Sequence, residues 1–245
     1  MAAPLLATVA AVHARLRRVQ LRDDAPTKGY PFTLPAVRHL DRLLFGDRVT
    51  FIVGDNGMGK STLVEALAIV AGFPPEGGSR SGVRETDHTV SELCRHIRLT
   101  WENTRPAWGW FLRAESFFNV ATYLDESGVA ETGFHQMSHG ESFLRLAQTR
   151  FGQAGFFVMD EPEAALSING CLKLLRVIDD ACDRGAQFVI ATHSPILMAY
   201  PGAVIYQLDA DDIRKVAFDD VFSVDLWRRF LADPKGYVSS ILADE

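Results

Sequence analysis

The sequence predicts an α/β fold in which a mainly parallel sheet is covered by helices. Three observations carry this. Phe156-Phe-Val-Met159 and Phe188-Val-Ile-Ala-Thr192 are continuous apolar runs, the pattern of strands buried on both faces. Strand-like and helix-like segments alternate along the chain, which favours parallel strands joined by helical crossovers. A third apolar run, Val49 to Val53, passes straight into a glycine-rich turn and then an amphipathic helix.

That third junction organises the chain. Within Phe51-Ile-Val-Gly-Asp-Asn-Gly-Met-Gly-Lys-Ser-Thr62, Gly54, Gly59, Lys60 and Ser61 satisfy G-x-x-x-x-G-K-[ST]. Glycines let successive backbone N–H groups converge on one phosphate, and the following helix adds its positive dipole end. Lys60 is then suited to bridge the β- and γ-phosphates, and the Ser61 hydroxyl to ligate Mg²⁺. The bare pattern arises by chance in roughly 1 in 100 chains of this length. Here the strand before it and the helix after it are the context the motif requires. The stretch Asp55, Asn56, Gly57, Met58, Gly59, Lys60, Ser61, Thr62 is therefore the candidate nucleotide-binding loop.

In chain order, Met1 to Val12 is apolar and alanine-rich without a basic leader, and reads as a short helix or tail and not a signal peptide. Arg15 to Leu21 reads as the first strand. Asp23 to Tyr30 is a turn-rich connection, and Tyr30 or Phe32 is a candidate for stacking on a base, with core packing the alternative. After the glycine turn, Leu63, Leu67 and Val70 recur at helical spacing until Gly72 and Pro74-Pro75 stop the helix. Glu76 to Asp87 reads as an excursion, Thr89 to His96 as a short helix, and Ser116 to Leu124 as another. Between the last two, Ile97 to Trp101 and Gly109 to Ala114 read as strands joined through Asn103 to Ala107. The span 73–145 is expected to form a small inserted helical lobe within a single domain of residues 1–245. A polar turn, Met137-Ser-His-Gly-Glu-Ser142, leads into a helix with Phe143, Leu146 and Ala147 on one face. Ile168 to Arg184 is the helix between the two later strands. Ala203 to Leu208 and Ile213 to Phe218 form a hairpin, and Val221 to Leu231 a terminal helix before a short tail.

Composition narrows the function. At 245 residues with 47% hydrophobic content the chain has ample material for a core. A formal net charge of −6 gives no global electrostatic reason to bind nucleic acid or a membrane surface. Arg15, Arg17, Arg18 and Arg22 leave a local basic patch open. Three cysteines without metal-ligand spacing suggest a reduced, cytoplasmic protein. No apolar run approaches the roughly 20 residues that span a bilayer.

Two further constellations follow. The strand Phe156 to Met159 ends in Asp160-Glu161-Pro162-Glu163, and strand C-termini are where open α/β sheets place ligand chemistry. Asp160 is suited to hold Mg²⁺, directly or through water, and Glu161 to act as general base on an attacking water. Capping of the Ile168 helix is the alternative, but the pairing with Lys60 and Ser61 favours catalysis. His193 ends the next strand, where it can reach a γ-phosphate or that water. His13, His39, His88, His96, His135 and His139 lack such placement.

The segments GDNGMGKST, MSHGES, FFVMDEPE and ATHSP, in that order, resemble the Walker A, signature, Walker B and switch-histidine motifs of ABC-type ATPases. The resemblance runs from about Leu16 to Leu208. It implies ATP and Mg²⁺ as cofactors and an ATP-dependent, head-to-tail homodimer in which Ser138, Gly140 and Glu141 contact nucleotide held by the other copy. His139 stands where the family usually has glycine. The usual glutamine between lobes has no clear counterpart, and the segment Gly109 to Ser116 makes Glu115 or Ser116 the candidate near the metal. Ala164-Ala-Leu-Ser167 resembles the D-loop. ATHSPILMAYPGAVIY and FLRAESF look more like the soluble SMC- and RecF-type ATPases of DNA maintenance than like transporter subunits, without coiled-coil arms or a zinc hook. The chain thus resembles compact stand-alone bacterial ATPases, with a DNA or DNA-repair partner possible and no membrane insertion expected. A nucleotide-gated binding module with slow hydrolysis, an ABC transporter's ATP-binding subunit and a small-molecule kinase are the alternatives.

Overall fold

Apolar runs flanked by turns assemble into two sheets. The computed structural model describes residues 14–80, 91–117 and 137–243. Eight strands lie among them: β1 (Arg15–Leu21), β2 (Val49–Gly54), β3 (Ile97–Glu102), β4 (Gly109–Arg113), β5 (Phe156–Asp160), β6 (Gln187–Ala191), β7 (Val204–Leu208) and β8 (Ile213–Val216). Six form one sheet in the order β4-β5-β6-β2-β7-β8, parallel except for the antiparallel β7–β8 hairpin. This is the helix-covered, mainly parallel α/β sheet that the sequence predicts.

The central strands are apolar throughout because both of their faces are covered. On one face Phe51, Phe157, Phe188 and Ile190 pack beneath the helices His139–Arg150 and Ile168–Asp183. Phe151, Phe157 and Phe188 form a ring cluster with centroids 4.6–5.2 Å apart. On the other face Ile52, Phe156, Val158 and Val189 meet Leu63, Val64 and Leu67 of the helix Lys60–Val70. Burying such side chains contributes about 1.5–3 kcal/mol each, so the sheet is a rigid platform for whatever its edges carry.

β1 and β3 form a separate antiparallel pair. One buried side chain ties this pair to the main sheet. Gln187 at the start of β6 accepts from Leu16 N–H (2.7 Å) and donates to the carbonyls of Leu16 (2.9 Å) and Gly46 (2.7 Å). The two strands expected around Asn103 to Ala107 therefore exist but do not pair with each other, because β4 continues the main sheet beside β5.

Other differences are local. A helical turn Pro35–Arg38 and a 3-10 turn Leu40–Arg42 lie in the Phe32 to Leu44 stretch, to which the sequence assigned no element. The expected tail after Leu231 is a second helix, Pro234–Ala243, beyond Phe222–Ala232. Of the expected helix Thr89 to His96, Leu93–His96 is helical, Ser91 and Glu92 lead into it, and Thr89 and Val90 lie outside the described residues. Residues 118–136 of the inserted span lie outside the described residues, as do Met1 to Val12, residues 81–90 and with them His13, His88 and His135. Within the 73–145 span, Gly109–Arg113 belongs to the central sheet.

Candidate functional site

Parallel strands bring all their C-terminal ends to one edge of the sheet, and three of the sequence motifs leave from that edge. β6 lies between β5 and β2, so the Asp160, His193 and Gly54 ends stand side by side. The Glu161 N–H donates to Ala191 O at 2.9 Å, stitching the second carboxylate to the end of β6.

The loop after β2 is built on left-handed backbone. Gly54, Gly57 and Gly59 have φ of 148°, 81° and 91°, conformations that side-chain-bearing residues rarely adopt. At Gly54 a Cβ would also lie 2.6 Å from the Leu208 carbonyl oxygen. Lys60 is buried, and its ammonium donates to Asp55 O at 3.1 Å. Burial pulls its pKa down, opposed by the nearby Glu161 and Asp160. A cavity of about 270 Å³ opens over the loop, lined by Tyr30, Leu34, Asn56, Gly57, Gly59, Lys60, Ser61, Thr62 and Glu161. Of the two aromatics weighed for a base, Phe32 is buried edge-on to His96, whereas Tyr30 is 69% exposed with its hydroxyl 3.0 Å from Thr62 Oγ1.

At the two residues expected to hold a metal, Ser61 Oγ donates to Asp160 Oδ1 at 3.1 Å. Burial pushes the Asp160 carboxyl up to about 6, against the stabilising pull of Arg113 and Ser61. Two hard oxygen donors side by side, next to a phosphate cradle, suit Mg²⁺. This ion keeps most of its waters and takes only one or two protein oxygens beside substrate phosphates. Among the described residues no cluster of three or more His, Cys, Asp or Glu offers an all-protein metal site.

Glu161 has a left-handed backbone with φ 48°, and its Oε1 lies 3.3 Å from His193 Nε2. The candidate base and the switch histidine are therefore brought together. Two contributors escaped the sequence reading. The first is Glu163, whose Oε1 accepts from the Thr192 hydroxyl (2.7 Å), the His193 N–H and the Ser194 N–H (3.1 Å). The second is Arg113 at the end of β4. Its guanidinium lies 2.8 Å from Glu65, 3.7 Å from Asp160 and 3.7 Å from Glu115. Register was the signal for Arg113: it stands directly opposite Asp160 across the β4–β5 pair.

Glu115 itself is 89% exposed, and its described contact is Arg113 and not Ser61 or Asp160. Ser116 is buried and donates to the Glu76 carbonyl.

The Ser138 turn is built as a helix start. Ser138 caps the helix His139–Arg150 in a capping box: its hydroxyl donates to Glu141 Oε2 at 2.7 Å, its N–H to the same oxygen at 3.0 Å, and Glu141 N–H returns to Ser138 Oγ at 3.4 Å. Those bonds hold the Glu141 carboxyl below its ordinary range. A Cβ on Gly140 would sit 3.1 Å from the Ala165 carbonyl, so the turn rests on the segment after Glu163. Ser138, Gly140 and Glu141 do not line the cavity over Lys60. Ser138 and Glu141 point outward, exposed.

Residues 33–120 match the family model described as an AAA domain. The chain is 28% identical over 197 residues to an uncharacterized ABC transporter ATP-binding protein of Haemophilus influenzae, covering 71% of this chain and 74% of that protein. It is 30% identical over 175 residues to a vitamin B12 import ATP-binding protein of Vibrio cholerae, covering 59% and 68% respectively. Among solved structures, the SMC head domain from Thermotoga maritima superposes with a TM-score of 0.47 at 17% identity, over 82% of this chain and 98% of that one.

Proposed function

Because the chain belongs to the ABC-type P-loop ATPases, we propose that it hydrolyses ATP as a pair of copies closed head to tail around the nucleotide. One observation carries this reading. The Ser138 turn, an exposed helix N-terminus, does not line the cavity over its own Lys60. A helix N-terminus suits an anion, and one that does not line its own phosphate-loop cavity can serve the nucleotide of a second copy. Residues 73–145, apart from the strand Gly109–Arg113 of the central sheet, are assigned to an inserted small lobe that carries this turn near its end.

Each residue then has a task. The backbone of Asp55 to Thr62 and the Lys60 ammonium hold the phosphates. Ser61 and Asp160 hold Mg²⁺, which when bound supplies positive charge to the phosphate oxygens. Glu161 takes the proton of the attacking water, and His193, 3.3 Å away, hydrogen-bonds the γ-phosphate or that water. Glu115, next to Arg113, is assigned a supporting position near the metal. ATP bridges both copies, and ADP lacks the phosphate that Ser138 and Gly140 contact, so hydrolysis weakens the pair.

The test is Glu161→Gln with ATP and Mg²⁺. It is expected to bind ATP, turn over slowly and elute as a dimer on sizing chromatography with light scattering. A variant that hydrolyses like its parent removes Glu161 from the role of base, and one that stays monomeric with ATP bound removes the paired arrangement.

What the closure drives has two readings. The resemblance of ATHSP and FLRAESF to soluble DNA-maintenance ATPases favours a DNA or repair partner, acting in the cytoplasm, although the net charge of −6 opposes tight DNA binding. The names of the curated relatives favour an ATP-binding subunit of a transporter. ATP-dependent retention of duplex DNA with a steep salt slope supports the first. Co-purification with a membrane-spanning partner supports the second. Among the described residues no helix is long and apolar enough to cross a membrane itself.

A further inference from the structure

We propose that Arg113, anchored on Glu65, is a resident cation that faces the Asp160 side of the metal position until Mg²⁺ arrives, and is then held by Glu65 and Glu115 alone. This rests on the ATP-binding reading above and names what regulates metal entry at that same site.

The geometry is specific. Asp160 is a buried carboxylate whose two oxygens look in different directions: Oδ1 meets the Ser61 hydroxyl at 3.1 Å, and Oδ2 faces Arg113 Nε at 3.7 Å. The Arg113–Asp160 relation is fixed by the sheet, since the two residues are register partners at the ends of β4 and β5. Parallel-sheet partners project to the same face, so the two side chains start from neighbouring backbone positions and the guanidinium reaches Asp160 or its other partners by rotamer change. A buried carboxylate without a compensating charge is costly, and Arg113 supplies that charge.

The contact is nevertheless incomplete. Arg113 Nε is buried and makes no hydrogen bond, at 3.7 Å from an oxygen that could accept one. The formed hydrogen bond lies at the other end of the guanidinium, from Nη1 to Glu65 Oε2 at 2.8 Å. Glu65 is one helical turn beyond Ser61 in the helix Lys60–Val70, so it shares the face of Ser61. Glu115, only two residues further along the chain, stands 3.7 Å from Nη2. Arg113 thus sits among three carboxylates, bonded to one and poised near two. A divalent cation held by Ser61 and Asp160 would be the largest local charge, and the guanidinium would then give up its approach to Asp160 while keeping its bond to Glu65 and drawing closer to Glu115. Arginine suits this task because its planar fork can hold several carboxylates at once and stays charged throughout.

Competition gives signs that scaffolding does not. Fluorescent mant-ATP binding is measured at equilibrium in EDTA and across a titration of free Mg²⁺, with melting temperatures of the same samples. In Arg113→Gln, the free Mg²⁺ that half-saturates its enhancement of mant-ATP binding is expected to fall about tenfold, because a competing charge is gone. The melting temperature of this variant drops in EDTA, where Asp160 is uncompensated, and the deficit closes with Mg²⁺ and ATP. Arg113→Lys keeps the charge and stays near the parent midpoint. Glu65→Gln leaves Arg113 to Asp160 and shifts the Mg²⁺ midpoint upward, a test that stands even if Arg113→Gln fails to fold. An unchanged or raised midpoint in folded Arg113→Gln, or an unchanged or lowered one in Glu65→Gln, overturns the proposal. A parent that binds no mant-ATP with or without Mg²⁺ overturns the nucleotide reading with it, whereas a parent that binds normally confines any failure to Arg113.

Discussion

Glu163 and His193 are joined through the backbone: one carboxylate oxygen of Glu163 accepts the His193 N–H together with the Ser194 N–H and the Thr192 hydroxyl. Three donors at the end of β6 thereby converge on a residue two places beyond the candidate base. The turn that aims the His193 ring at Glu161 is held by this oxygen. Glu163→Ala strands those donors, with an expected stability loss of about 2–4 kcal/mol. It should also lower kcat about tenfold to a hundredfold at little change in the KM for ATP, because the phosphate loop is untouched and only orientation is lost. Glu163→Gln keeps an acceptor oxygen at the same place and should retain most of the activity. Steady-state hydrolysis of both folded variants separates this positioning role from a general loss of structure. Equal damage from the two substitutions would point away from it.

The Asp160 carboxyl carries a pH signature. Burial raises it from an ordinary 3.8 to about 6 in the metal-free protein, so the ionised form opposes folding. The sign follows from linkage: the cost is complete above pH 6, shrinks between pH 6 and 4, and is absent below the unfolded value. Asp160→Asn should therefore be more stable than the parent in EDTA at pH 8, by up to about 3 kcal/mol. The advantage should vanish at pH 4. Denaturant unfolding at the two pH values measures it. With Mg²⁺ and ATP the order should reverse, since asparagine is the poorer metal ligand.

Strain is stored at Glu161. Its φ of 48° lies in the left-handed region, which costs a side-chain-bearing residue about 1 kcal/mol or more. Glu161→Gly and Glu161→Ala both remove the carboxylate and should both abolish hydrolysis, but only glycine relieves the backbone. Thermal unfolding should rank glycine above alanine by about 1 kcal/mol. Equal stabilities would mean that the turn bears no strain.

Much of the candidate site was legible because its residues are contiguous in sequence. The phosphate loop packs three left-handed glycines, Lys60 and Ser61 into eight residues, and Asp160 and His193 each end an apolar run that has only one way to lie. Arg113 and Glu163 could not be found this way. Arg113 matters because of its register partner 47 positions away, and Glu163 because β6 happens to lie beside β5. Neither relationship leaves a mark on local composition. The β1–β3 pair was missed for the same reason: its strands are separated by the whole phosphate-loop unit. The Pro234–Ala243 helix carries Tyr237, Val238, Ile241 and Leu242 at helical spacing, but it is ten residues long and buries none of its residues, so the sequence reading left it as a tail.

A paired arrangement can be tested without isolating the pair. In the proposed two-fold dimer, residue contacts are reciprocal: each copy would lend its Ser138 turn to the phosphate loop of the other. Ser138→Arg should bind ATP yet fail to hydrolyse it, because the altered turn no longer meets the nucleotide held by the other copy while its own loop is intact. Ser138→Ala is the milder control, expected to cost about 1 kcal/mol through loss of the helix cap. Lys60→Ala should fail for the opposite reason, since its loop is damaged and its serine turn is sound. Mixed in equal amounts, the two inactive proteins form hybrids in which one site combines an intact Lys60 with an intact Ser138, and the other site combines both lesions. For independent sites and random pairing, the mixture should recover about a quarter of parental turnover per chain. Recovery should rise with total protein concentration, as expected for an association. A mixture as inactive as its components, under conditions where hybrid dimers are seen by light scattering, would mean that Lys60 and Ser138 do not serve the same nucleotide.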